Sequence, residues 1–220
     1  MKITILYDDE AYAPDLMTDH GFSCLIEKGN HRILFDTGGI GRILLRNMNV
    51  LGIKPRFDKI VISHNHMDHI GGLPDILRVC SEAELFTIGM PTWHDKIKEI
   101  TGISEIADGV HTTGPLGTFI KEQSLVVENG GNSIVITGCA HPGLARILRI
   151  ASRFGSIYGV VGGLEGFNEY ELLREWDLKL ICPCHCTVHK REIKKLFPKS
   201  CVTCGVGRTI ELEHVELEHD

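Results

Sequence analysis

The chain has 220 residues, 43% of them hydrophobic, and a formal net charge of −6 from 23 basic and 29 acidic residues. This composition can bury one sizeable core, so we expect a single domain over residues 1–220. The acidic balance disfavours nucleic acid and favours a small-molecule substrate. No run approaches the roughly 18 apolar residues of a membrane span. The N-terminal apolar stretch is too short for a signal peptide, so we expect a cytoplasmic protein with reduced cysteines.

Strands and helices are predicted to be mixed along the chain. The predicted strands cover residues 2–7, 22–27, 32–35, 59–62, 84–87, 117–120, 124–128, 133–137, 156–161, 179–181 and 209–213. The predicted helices cover residues 41–51, 73–80, 92–100, 143–153, 168–176 and 189–197. This pattern predicts an α/β fold built as a two-sheet sandwich.

The segment "SHNHMDH" places four titratable side chains directly after a buried predicted strand. In extended chain, His64 and His66 point the same way and can meet one metal ion, while Asp68 and His69 face a second point after the bend. Neutral imidazole is the commonest metal ligand, and a carboxylate adds a hard oxygen. The alternatives are a solvated histidine-rich loop and histidines that cap the following helix.

Two further histidines, His141 and His185, each follow an apolar predicted strand. A catalytic zinc ion usually needs at least three protein ligands. Because both histidines lie at strand ends like the first cluster, we expect them to be ligands and not residues that bond only to a loop backbone.

The C-terminal part is rich in cysteine and leaves several readings open. Its five cysteines are Cys182, Cys184, Cys186, Cys201 and Cys204. A separate structural zinc and a redox role for the "CVTC" pair are alternatives to the default, which is small buried apolar side chains.

Four motifs in order resemble those of the metallo-β-lactamase superfamily. They are "FDTGG" at 35–39, "SHNHMDHIGGL" at 63–73, "TGCAHPG" at 137–143 and "CPCHCT" at 182–187. Within it, "HGFSCLIE", the Gly162–Gly163 pair and "GVGRTIEL" resemble the subgroup of the dihydropterin/ribofuranosylaminobenzene 5′-phosphate synthase of methanopterin synthesis. The resemblance implies a four-layer αββα sandwich with a dinuclear metal site at one edge.

The resemblance also implies roles for individual residues. It implies that the first metal is held by His64, His66 and His141, and the second by Asp68, His69 and His185. Asp36 would orient a ligand without binding metal itself. We expect two divalent ions, Zn²⁺ first, with iron or manganese as alternatives.

One position departs from the superfamily pattern. The aspartate that usually bridges both ions is missing after the strand predicted at 156–161, and the nearest carboxylate is Glu165. In the subgroup a histidine commonly stands near this position. We expect Glu165 to bridge the ions; the alternative is an exposed loop residue.

Such a site supports a defined class of chemistry. Two close cations can share a water, lower its pKa and polarise a carbonyl or phosphoryl oxygen. We therefore expect a hydrolase, or an enzyme that displaces phosphate or pyrophosphate, with a metal-activated hydroxide and Asp68 as the catalytic residue that accepts a hydrogen bond from the attacking water. The substrate would be a small phosphorylated or ester- or lactone-type metabolite. The alternative is a non-catalytic metal-binding or thiol redox-sensing protein that keeps the fold.

Overall fold

The computed structural model describes residues 1–89 and 96–212. The strands of the described residues are β1 (Lys2–Tyr7), β2 (Ser23–Lys28), β3 (His31–Phe35), β4 (Lys59–Val61), β5 (Glu84–Thr87), β6 (Ile97–Glu99), β7 (Ser104–Ala107), β8 (Val110–Thr112), β9 (Leu125–Asn129), β10 (Asn132–Thr137), β11 (Ser156–Gly163), β12 (Leu180–Cys184) and β13 (Thr209–Glu211). The helices are α1 (Gly41–Val50), α2 (Met67–Ile70), α3 (Leu73–Val79), α4 (Leu144–Ala151), α5 (Tyr170–Glu175) and α6 (Lys190–Leu196), and a 3₁₀ turn (Ser152–Phe154) follows α4. None of the helices described is long and apolar enough to cross a membrane.

The strands form two mixed sheets. The first has the order β13-β1-β2-β3-β4-β5-β6 and the second the order β12-β11-β10-β9-β8-β7. In the first sheet β3, β4, β5 and β6 are parallel, and β1 runs in their direction because it is antiparallel to β2, which is antiparallel to β3. In the second sheet β10, β11 and β12 are parallel. Each sheet therefore has several strand ends along one edge, where loops can meet.

Alternating side chains along the strands divide the core into three apolar layers. Between the sheets, Cys24 and Ile26 of β2 share one buried cluster with Ile134 and Ile136 of β10. The intervening residue of β2, Leu25, belongs to a second buried cluster on the opposite face of its sheet.

Helices cover the outer face of each sheet. The cluster on the first sheet includes Leu44 and Met48 of α1 together with Ile76 of α3. The cluster on the second sheet includes Ile147 and Leu148 of α4. Full burial of each such side chain contributes about 1.5–3 kcal/mol. Helix, sheet, sheet and helix are thus stacked as a four-layer αββα sandwich, as expected.

The strand predicted at 117–120 is wrong. This stretch is an irregular loop between Leu116 and Glu122, which form an isolated antiparallel bridge. Gly117 has a φ of +99°, and a Cβ there would lie 2.2 Å from the carbonyl oxygen of Ile120, so the chain turns back tightly. Phe119 is fully exposed, so its side chain does not pack as that of a buried strand would.

The helix predicted at 92–100 is also wrong over its described part. Residues 97–99 form β6, which pairs in parallel with β5, and positions 90–95 lie outside the described residues. The short strands β7 and β8 were not predicted, and residue 213 of the last predicted strand lies beyond the described range. The other predicted elements are confirmed, with ends displaced by at most three residues.

Candidate metal centre

The candidate centre lies where loops from both sheets converge. Asp36 follows β3, His64 follows β4, His141 follows β10, Glu165 follows β11 and His185 follows β12. All five strands run in the shared direction of their own sheet, so their carboxyl ends lie on the same edge. The sequence positions are far apart, and the sheet topology accounts for their meeting.

The backbone of these loops is held in an uncommon conformation. Six non-glycine residues in the described part of the chain have positive φ, and four of them are Asp36, Ala140, Glu165 and His185, with φ between 41° and 64°. Such conformations cost of order 1–3 kcal/mol each and persist where the surroundings fix them, commonly at functional sites. Nearby, Gly162 has a φ of +128°, and a Cβ there would lie 2.1 Å from the carbonyl oxygen of Thr137. A glycine is therefore required by the close strand packing.

The first group of potential ligands consists of His64, His66 and His141. Nε2 of His64 lies 3.0 Å from Nδ1 of His66 and 3.2 Å from Nε2 of His141, and the three donor atoms lie within 4.8 Å of one another. Burial, together with the neighbouring His69 and His141, lowers the pKa of His64 to about 2. A neutral ring keeps a nitrogen lone pair free for a cation.

The second group consists of Asp68, His69 and His185. Oδ2 of Asp68 lies 3.0 Å from Nε2 of His185 and 3.5 Å from Nε2 of His69. Burial opposes ionisation of Asp68, but the hydrogen bond from His185 and the charge of His69 hold its pKa below the ordinary value. Burial likewise lowers the pKa of His185, but hydrogen bonds to Asp68 and Asp9 outweigh it and raise this pKa to about 10.

Asp36 connects the β4 loop to the second group. Its Oδ1 accepts the backbone N–H of Ser63 at 2.7 Å, and its Oδ2 accepts the Ser63 hydroxyl at 2.6 Å. Oδ2 also lies 2.7 Å from Nδ1 of His69. A proton on Nδ1 satisfies this contact, and the other ring nitrogen, Nε2, then faces Asp68, where it can bind a cation when the ring is neutral. Both carboxylate oxygens are therefore used in orienting neighbours.

Glu165 contacts only one of the expected ligands. Its Oε2 lies 3.1 Å from Nδ1 of His141, on the opposite ring nitrogen from the one that faces His64, and its side chain is 56% exposed. Among the described residues, no hydrogen bond or ion pair joins Glu165 to Asp68, His69 or His185. The structure thus brings six of the seven expected ligands into two adjoining groups and places Glu165 behind His141.

Sequence reasoning missed Glu122, which holds the loop that carries His141. This carboxylate is only 1% exposed. Its Oε1 accepts the backbone N–H groups of Gly138, Cys139 and Ala140 at 3.0 Å each, and its Oε2 accepts that of His141 at 2.9 Å. The only signal in the sequence is a polar "EQS" directly before an apolar strand.

The first residues of the acidic segment 7–20 also reach the site, although no motif in the sequence indicates this. Asp8 is fully buried, and its Oδ2 accepts the backbone N–H of His185 at 2.8 Å. Oδ1 of Asp9 lies 2.8 Å from Nδ1 of His185, and Oδ2 of Asp9 lies 3.1 Å from Nδ1 of His20. These contacts make the end of β1 a part of the site.

The cysteines correct the expectation that all eight are reduced. Cys184 and Cys204 form a disulfide with Cα atoms 5.5 Å apart, a usual separation for such a bond. Cys201 is a separate buried thiol, so the "CVTC" cysteines do not act as a pair. The physical reason is that the segment after α6 pairs Cys201 with Ile181, near the start of β12, and brings Cys204 to Cys184 at the end of that strand.

The two groups of donors fit divalent metal ions. Tetrahedral coordination with metal–nitrogen bonds of about 2.0–2.1 Å requires donor atoms about 3.3–3.4 Å apart. The observed separations of 3.0 and 3.2 Å in the first group, and of 3.0 and 3.5 Å in the second, are close to this requirement. Imidazole and carboxylate donors suit zinc, iron and manganese alike.

Comparisons with known proteins agree with this architecture. The family described as anti-Pycsar protein Apyc1 matches residues 1–81. The chain is 29% identical to the 7,8-dihydropterin-6-methyl-4-(β-D-ribofuranosyl)-aminobenzene-5′-phosphate synthase of Methanocaldococcus jannaschii, over 87% of this chain and 89% of that protein. It also resembles the crystal structure of Tm1679, a metal-dependent hydrolase of the β-lactamase superfamily, with 27% identity, a TM-score of 0.79 and coverage of 96% and 99% of the two chains.

A more distant likeness shows the fold alone. Human tRNase Z, short form, has 15% identity and a TM-score of 0.66, with coverage of 97% of this chain and 100% of that one. The αββα layers, the order of the four motifs and these similarities show that the chain has the metallo-β-lactamase fold and resembles, over most of its length, the Methanocaldococcus jannaschii synthase.

Proposed function

We propose that the protein is a metal-dependent enzyme with a dinuclear site, acting as a hydrolase or as an enzyme that displaces phosphate or pyrophosphate. The observation that carries this proposal is the convergence of two donor groups at one edge of the sandwich. The first group, His64, His66 and His141, would hold one ion, and the second group, Asp68, His69 and His185, would hold the other. We expect Zn²⁺ in both positions.

The two ions, when bound, would supply a water of lowered pKa and positive charge for a developing oxyanion. The side chains contribute orientation and proton handling. Asp68 is partly exposed and contacts both His69 and His185, so its carboxylate is available to accept a hydrogen bond from an attacking water. Asp36 fixes the ring of His69 through Nδ1.

Glu165 is proposed to support the site through His141. The bridging role expected from the sequence would require the carboxylate to leave Nδ1 of His141 and turn towards the second group. Its present position, half-exposed and 3.1 Å from that nitrogen, favours a residue that orients the ring. A superfamily site without its usual bridging carboxylate then needs another donor for the second ion.

The substrate class is proposed to be small phosphorylated or ester- or lactone-type metabolites. A hydrolase is favoured by the likeness to Tm1679, which is described as a metal-dependent hydrolase. A pterin-joining reaction is the second candidate, favoured by 29% identity to the methanopterin-synthesis enzyme over most of both chains. In both reactions negative charge develops on an oxygen atom, and nearby positive charge stabilises it. We also propose one domain over residues 1–220 and a cytoplasmic location.

Metal content per chain tests the proposal. The freshly purified parent should hold two ions per chain, and His185→Ala and His64→Ala should each lose about one of them. Both variants should also lose most of the activity with which the parent hydrolyses a phosphodiester or phosphomonoester probe. His111→Ala is the matched control, because His111 pairs with Glu128 on β9 away from the candidate centre. Glu165→Ala should keep two ions if the side chain only orients His141, and one if it bridges. A single ion that survives His185→Ala would contradict a dinuclear site.

A further inference from the structure

Cys139 lies inside the candidate centre, although it is not one of the ligands that the motifs indicate. It stands two residues before His141 and its side chain is buried. Its backbone N–H donates a hydrogen bond to Glu122, which fixes the loop and leaves the thiol directed into the centre. There Sγ lies 3.2 Å from Nε2 of His69.

The atoms around this thiol form the outline of one coordination site. Nε2 of His69 lies 3.5 Å from Oδ2 of Asp68, which lies 3.0 Å from Nε2 of His185. Donor atoms of Cys139, His185 and Cys186 lie within 4.8 Å of one another, and so do those of Cys139, His69 and His64, so the thiol borders both groups and makes its 3.2 Å contact with His69 of the second. A tetrahedral ion with one sulfur donor at about 2.3 Å and lighter donors at about 2.0–2.1 Å needs separations of roughly 3.3–3.6 Å.

We propose that the thiolate of Cys139 is the fourth protein ligand of the second metal ion, beside Asp68, His69 and His185. This inference rests on the proposed dinuclear function. Binding forms a metal–sulfur bond and breaks the S–H bond, and the proton is released to solvent. The thiolate supplies the donor that the missing aspartate would otherwise provide, and with Asp68 it balances the charge of a divalent ion.

This assignment implies different roles for the two ions. Four protein donors fill a tetrahedral second position, as in structural sites, whereas three histidines leave the first position open to water. The first position would then carry the reactive water, and the second would provide charge and rigidity. A sulfur donor also favours zinc over manganese in the second position, because thiolate ligands select softer ions.

Cys186 is the competing sulfur donor. It is only partly buried, and its Sγ lies 4.0 Å from the backbone carbonyl oxygen of Cys139. Its donor atom lies within 4.8 Å of those of Cys139 and His185, but the 3.2 Å contact with Nε2 of His69 is made by Cys139. A Cys186→Ser variant therefore serves as the matched control for Cys139→Ser.

Cobalt(II) titration of the metal-free protein separates the outcomes, since cobalt bound to thiolate gives a sulfur-to-metal charge-transfer band in the near ultraviolet. The parent and Cys186→Ser should develop this band as the second equivalent binds. Cys139→Ser should still bind two ions but lack the band, and its second ion should bind at least about 10-fold more weakly, since losing a ligand costs no less than losing a ligand's hydrogen-bond partner. Circular dichroism checks that the variants are folded, and Cys139→Ala provides a second test of the same loss.

The failures can be told apart. Two bound cobalt ions without the band in the parent, or a band that persists in Cys139→Ser, would overturn the ligand assignment and leave the dinuclear site intact. Loss of the band only in Cys186→Ser would assign the sulfur to the other cysteine and overturn the proposal. Fewer than two ions in the folded parent would overturn the dinuclear function and this ligand with it.

Discussion

The buried carboxylate of Glu122 is predicted to be a main stabiliser of the loop that presents His141. It accepts four consecutive backbone N–H groups, three through Oε1 and one through Oε2. Leaving one buried N–H without a partner costs about 1–3 kcal/mol. Glu122→Ala removes all four bonds, so its cost is expected to be about 4 kcal/mol or more, a large part of the 5–15 kcal/mol by which domains are typically stable.

Glu122→Gln is a milder change, so its effect on the free energy of unfolding can be measured on a protein that still folds. Its amide oxygen can still accept the three N–H groups at the Oε1 position, but its NH₂ group would face the N–H of His141. One bond is lost and two donors oppose each other, so we expect destabilisation of about 1–3 kcal/mol. Because His141 is then less firmly placed, the first ion should also bind more weakly.

Urea unfolding followed by circular dichroism, with and without metal, checks this prediction. Glu171→Gln is the matched control, because Glu171 is exposed and pairs with Arg174 on the surface of α5. The control should change stability by less than about 0.5 kcal/mol. Glu122→Gln with the parent's stability and metal affinity would refute the reasoning.

Three further predictions address other parts of the site and core. Asp36→Asn should weaken metal binding about 10–100-fold by equilibrium dialysis, because it disturbs the ring of His69; unchanged affinity would contradict this role. Gly162→Ala should destabilise the fold by more than about 1 kcal/mol in urea unfolding, since its φ is +128°, and Gly166→Ala, where no atom lies within 4 Å of the added Cβ, is the control. Burial raises the pKa of the Cys80 thiol above its ordinary 9.0. Above pH 9 the unfolded chain therefore loses this proton first, and stability should fall by at most about 1.4 kcal/mol per pH unit for this thiol. Cys80→Ala should show a shallower decline across that pH, and equal slopes would count against the prediction.

The sequence predicted the parts of the site that depend on local pattern. His64, His66, Asp68 and His69 are close along the chain, so their spacing alone indicated two adjacent binding points. The αββα layers followed from apolar strands and helices together with the motifs. The ends of the confirmed strands were predicted to within three residues, because buried parallel strands are short apolar runs with polar residues behind them.

The parts that failed depend on contacts between distant segments. Glu122 and Asp8 are single acidic residues whose burial is decided by loops 16 to 177 positions away in the chain. The thiol of Cys139 faces His69 only because two sheets are packed together. The loop at 117–120 has the apolar content of a strand, yet it lacks a neighbouring strand, and no local pattern reveals that absence.

The hydrogen bond between Asp8 and the backbone of His185 joins residues 177 positions apart. Because these two residues are so far apart in the chain, the centre can be completed only at a late stage of synthesis on the ribosome. The three-histidine group has all its members once residue 141 has emerged, whereas the second group waits for residue 185 to return to the end of β1. A nascent chain can therefore assemble the two halves of the centre in a fixed order, with the half that joins β1 to β12 formed last.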